Sequence, residues 1–108
     1  MSAEFYYEAT VPDSSEVAFA ADVRPGAQGR LAVSYLRSRQ FNLGKARCSV
    51  GKQHVVLDGN WSASTSLAQT AVVAKGLPPG SHVVRCRTLP RGKGGEGTAF
   101  RLMGVMTL

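Results

Sequence analysis

Most signatures of a catalytic or metal-binding chain are missing from this sequence. Only two cysteines occur in its 108 residues, Cys48 and Cys86, with no Cys-x-x-Cys pair, and only two histidines, His54 and His82. No Cys/His cluster has zinc-ligand spacing, so no metal site and no cofactor are expected. There is no Gly-x-Ser-x-Gly nucleophile elbow, and the glycine-rich stretch Gly92-Lys93-Gly94-Gly95-Glu96-Gly97 lacks the Gly-Lys-Ser/Thr ending of a phosphate-binding loop. Asp58 and Glu96 stand isolated, so the paired carboxylates of a glycosidase are absent. These gaps predict a protein that is not an enzyme.

Long apolar runs are also lacking. No stretch approaches the roughly 18 residues a membrane helix needs. Met1-Ser2-Ala3-Glu4 carries no basic segment followed by an apolar one, the pattern of a secretory signal. The expectation is a chain that is cytosolic or is a piece of a longer secreted protein.

Acidic residues are scarce where bases are frequent. Thirteen Lys and Arg oppose seven Asp and Glu, a net charge of +6. All the bases lie from Arg24 onward, where the only acids are Asp58 and Glu96. A basic body of this kind favours polyanionic partners: acidic glycans, nucleic acid, anionic membranes or an acidic protein. It is equally compatible with a solvated surface that only confers solubility.

What is present is period-two alternation. Val17, Phe19, Ala21 and Val23 alternate with Glu16, Asp22 and Arg24, and Pro25-Gly26 ends the run. Leu31, Val33 and Tyr35 form the apolar face of the next strand, and Leu36 on its other face indicates partial cover there. Ala46, Cys48 and Val50 follow, then a two-residue Gly51-Lys52 turn and His54–Leu57. Thr70–Ala74, His82–Thr88 and Ala99–Leu108 complete the pattern, with Phe100 and Leu102 as core residues. About eight strands spaced about ten residues apart predict a single domain over 1–108, all-β and antiparallel, built as a sandwich or a barrel. The two cysteines, both of inward parity, form one inter-strand disulfide or are two small buried hydrophobes.

The order of segments resembles the jelly-roll accessory modules of the galactose-binding-like superfold. It is most similar to the C-terminal β-sandwich that follows SGNH/GDSL esterase-like domains in algal and fungal proteins. The resemblance rests on Val33-Ser34-Tyr35-Leu36-Arg37-Ser38 with Gly44-Lys45-Ala46-Arg47, on Val56-Leu57-Asp58-Gly59-Asn60-Trp61, on Gln69-Thr70-Ala71-Val72 with Gly76-Leu77-Pro78-Pro79-Gly80-Ser81-His82, and on Phe100-Arg101-Leu102-Met103-Gly104-Val105. It implies a non-catalytic module, carbohydrate-binding and accessory to a larger protein.

Candidate ligand residues follow from residue chemistry. Trp61, the one tryptophan, lies in a polar loop, where it either stacks on a sugar ring or folds back as a lid over the sandwich end. Tyr35 is a second candidate stacker. Asp58 and Asn60 could hydrogen-bond hydroxyls. Arg37, Arg39, Lys45 and Arg47 flank a turn between two strands expected to be neighbours, and Arg85 and Arg87 share an outward face. Arg37, Arg47 and Arg87 are the candidates for gripping acidic groups of a glycan. The competing readings are a structural or interaction domain docking through Leu36, Val83, Met103 and Val105, and a polyanion or nucleic-acid binder acting by charge alone.

Overall fold

The computed structural model describes residues 2–5, 9–11, 16–38, 43–60, 65–89 and 99–108. Among them every regular element is a strand: β1 (Ser2–Phe5), β2 (Ala9–Val11), β3 (Glu16–Val23), β4 (Leu31–Arg37), β5 (Lys45–Val50), β6 (Gln53–Asp58), β7 (Leu67–Ala74), β8 (Gly80–Thr88) and β9 (Phe100–Thr107). They form two antiparallel sheets, one ordered β1-β9-β4-β7 with β2 also on β9, the other β3-β8-β5-β6.

β1 and β2 pair with successive stretches of the same neighbour, Ser2 with Thr107 and Val11 with Phe100. They are thus two pieces of one edge strand. With the pair counted once, the sheets run 1-8-3-6 and 2-7-4-5, the interleaved order of an eight-stranded jelly roll. Of the two architectures that alternation and spacing allow, the chain forms the sandwich, and its strand order is the jelly roll that the resemblance implies. The chain crosses between sheets at most connections; the exception is the β5–β6 hairpin, where Val50 pairs with Gln53 around Gly51-Lys52. Gly51 has φ +58, a conformation glycine adopts without strain, so the turn matches the right-handed twist of its strands.

Apolar side chains from both sheets fill the space between the layers. Leu31, Val33, Val84, Phe100 and Leu102 are fully buried, and Phe19 packs partly buried against them. Phe100 and Tyr35 stack with ring centroids 5.5 Å apart. Cys48 and Cys86, directly opposite each other on β5 and β8, are joined in a disulfide inside this core.

One inward–outward assignment is overturned. Val105 was expected on the outer face, but it is 1% exposed and belongs to the core. The pairing of β9 with β4 shifts between Ser34↔Gly104 and Tyr35↔Leu102, a bulge that inserts one residue. Leu102 and Val105 therefore both point inward, and strict alternation fails across it.

One end of the sandwich is closed by main-chain contacts. Arg30 and Leu108 exchange two backbone hydrogen bonds, and the Leu77 amide donates to the Gly29 carbonyl at 2.9 Å. A Cβ on Gly29 would lie 2.5 Å from the Leu77 carbonyl oxygen, and φ there is +74, so only glycine fits. His82 Nε2 donates to the Pro78 carbonyl at 2.7 Å and pins the proline turn before β8.

A basic sheet face as the candidate functional site

The outer face of the β3-β8-β5-β6 sheet gathers the charge that the sequence scatters. Arg85 and Arg87 alternate outward along β8 because Val84 and Cys86 between them are buried. Arg47 and Ser49 do the same on β5 around Cys48. The register places Arg47 directly opposite Arg87, and Ser49 opposite Arg85 on one side and His54 on the other. Glu16, Arg47, Ser49, Gly51, Lys52, His54, Arg85 and Arg87 surround a shallow depression of about 410 Å³.

Only one carboxylate enters this group. Glu16 stands opposite Arg87, yet its side chain reaches diagonally to Arg85, whose Nη1 donates to Oε1 at 3.3 Å. Both partners are well exposed, so the pair adds little stability. Among the described residues no carboxylate stands within ion-pair distance of Arg47 or Arg87.

The pair Cys48–Cys86 has its Cα atoms 4.0 Å apart, which makes it the narrow, non-hydrogen-bonded kind. The adjoining pair Arg47–Arg87 is then the wide kind, with Cα atoms about 5.5 Å apart. Like charges directly opposite one another destabilise a sheet by a few tenths of a kcal/mol or more. The disulfide on the reverse side of the sheet holds the two strands together beneath that repulsion.

The residues singled out from the sequence divide into two groups. Arg47 and Arg87 meet on the basic face. Arg37 does not join them: β4 and β5 belong to different sheets, so the expected neighbouring strands are not neighbours. Arg37 and Asp58 instead lie near the Tyr35 hydroxyl at the end of the sandwich, where their charges act on it. Asp58 Oδ1 accepts a hydrogen bond from the Asn60 amide at 2.9 Å, which turns the chain out of β6. Asn60 is exposed there.

Tyr35 is a correction. It is 6% exposed and lies against Phe100, so its ring has no free face for a ligand. Burial pushes its hydroxyl above the usual tyrosine range; nearby Arg37 opposes this and Asp58 adds to it. Trp61, Arg39 and the loop 92–97 lie outside the described residues.

Ser49, Lys52 and His54 were not anticipated as part of a site. Their outward parity was readable, but their closeness to Arg85 and Arg87 depends on the pairing of β5 with β8 and β6. Of the apolar residues expected to form a docking patch, Val83 is exposed, while Leu36 and Met103 are half-buried. Val56 is also exposed, next to Arg47. Among the described residues no three His, Cys, Asp or Glu side chains come together as metal ligands, and no helix is long and apolar enough to cross a membrane.

The chain gives no match to a family model, to a curated protein or to a solved structure.

Proposed function

We propose that this chain is a non-catalytic binding module, accessory to a larger protein, whose ligand is an anionic carbohydrate. The observation that carries the reading is the facing pair Arg47 and Arg87, two cations held side by side on a rigid sheet with no acid between them. A carboxylate facing one arginine would be the more stabilising pair for the sheet, so the two facing cations are not accounted for by stability. Rigid strands fix the backbone positions from which the guanidinium groups reach, so binding orders side chains and not the main chain. The shallow, open depression suits a chain of sugar residues lying across the sheet better than a small enclosed substrate. Asp58, the last residue of β6, with Asn60 and Trp61 after it in the sequence, are the candidates for contacts with hydroxyls and a sugar ring; Arg37 is near Asp58, and Tyr35 is excluded by its burial.

The test is a binding series with the intact chain against acidic polysaccharides, neutral polysaccharides and single-stranded nucleic acid at matched ionic strength. Binding to acidic but not neutral glycans, lost in Arg47→Ala with Arg87→Ala, is the expected result. Equal or tighter binding to nucleic acid would move the assignment to charge-driven polyanion binding. Absence of any glycan binding, with self-association in light scattering, would move it to a structural role.

A further inference from the structure

We infer that the anionic group this face selects is a tetrahedral ester, a sulfate or phosphate carried on a sugar, and not the planar carboxylate of a uronic acid. The inference rests on the proposed glycan-binding role and concerns which acidic group is read. A carboxylate offers two oxygens in one plane, and a single guanidinium fork satisfies both. The face does not present a single fork. Arg47 and Arg87 point outward from directly opposed positions about 5.5 Å apart, and Arg85 follows about 7 Å along β8. A tetrahedral ester carries three terminal oxygens directed apart, so it can accept a forked pair from one guanidinium and a further hydrogen bond from the second.

Ser49 completes this arrangement. It lies two residues beyond Arg47 on the same face and opposite Arg85, where its hydroxyl can donate a further hydrogen bond to one of these oxygens, each of which has more than one lone pair. Glu16 shapes the charge of the site. By engaging Arg85 it offsets one of the three guanidinium charges and leaves two, on Arg47 and Arg87. The disulfide Cys48–Cys86 joins the same two strands one position along, inside the core, so the backbone separation of Arg47 and Arg87 is fixed before any ligand arrives. Sulfate and phosphate esters share this recognition chemistry, and the comparison of polymers below separates them.

The experiment measures affinity of the intact chain, at one fixed salt concentration, for four polymers of similar charge density: a sulfated glucan, a phosphorylated mannan, a polyuronate and a single-stranded nucleic acid. At least one of the two ester polymers is expected to bind about tenfold or more tightly than the polyuronate. Arg47→Lys and Arg87→Lys keep the charge and remove the fork, and each is expected to bring that ratio close to one. The tighter of the two ester polymers identifies the source, and either order supports the inference. Equal affinity for ester and uronate polymers, or lysine variants that leave the ratio unchanged, overturns the inference and leaves the glycan-binding role standing. Nucleic acid binding more tightly than every glycan overturns both, as does failure to bind any of the glycans.

Discussion

Gln53 and Lys75 are joined by two hydrogen bonds of 2.9 Å that run between a side chain and a backbone: Gln53 Nε2 donates to the Lys75 carbonyl, and the Lys75 amide donates to Gln53 Oε1. The glutamine amide acts as a short extra strand, fastening the β5–β6 hairpin to the chain leaving β7 in the opposite sheet. It links the two layers beside the turn that carries Lys52.

From this, Gln53→Ala is expected to lower stability by about 1 kcal/mol, since both bonds are exposed and compete with water. Gln53→Glu loses the donor and falls between. Lys75→Ala changes nothing measurable, because only its backbone takes part. Urea unfolding midpoints of the three variants check the ordering.

The disulfide spans 38 residues of sequence. Closing a loop of that length removes unfolded-state entropy worth about 4 kcal/mol. Replacing both cysteines by alanine is expected to cost an amount of that order, read by denaturant titration. Any double variant that remains folded is also expected to bind its polyanion more weakly, because the Arg47–Arg87 spacing is no longer held.

The facing arginines carry opposite expectations for stability and binding. Arg47→Ala or Arg87→Ala relieves like-charge repulsion, so each is expected to leave the melting temperature unchanged or raised, a gain of a few tenths of a kcal/mol. The same substitutions are expected to reduce polyanion affinity and to lower the slope of log affinity against log salt by about one per arginine. Melting curves and salt titrations on the same samples test both.

Tyr35 makes alkaline stability measurable. Its hydroxyl ionises above the ordinary tyrosine range in the folded protein, chiefly because it is buried. The folded state thus holds its proton after the unfolded state has released it. The contribution is fully present below the unfolded value of about 10 and is lost as pH rises from there through the folded value. Ultraviolet titration is expected to show one tyrosine ionising late, and Tyr35→Phe is expected to remove that late step and flatten the alkaline fall in stability.

Much of the fold was readable from alternation. Val17 to Val23, Leu31 to Tyr35 and Ala46 to Val50 each predict a strand with one apolar face, and each has it. Val105 was misplaced because a bulge is a property of two strands together: β9 takes up an extra residue only relative to β4. Tyr35 was misjudged in a different way. Its inward parity was evident, but its stacking on Phe100, 65 positions along the chain, was not.

The candidate site was legible as a list of arginines and illegible as an arrangement. Cys48 was the missing hint. Once it is bonded to Cys86 across two antiparallel strands, Arg47 must face Arg87 and Ser49 must face Arg85, because the paired positions keep a constant sum. Without the bond, nothing local joins residue 47 to residue 87.

The amino-acid order by itself determined which segments are strands, the apolar face each carries and the uneven charge, because periodicity, turn chemistry and residue type are local quantities. Only the tertiary structure decided which strands are neighbours, and with that which charges share a face. Pairing in a sandwich is settled by the packing of two whole layers, so Arg47 and Arg87 became partners while Arg37 went to the other sheet.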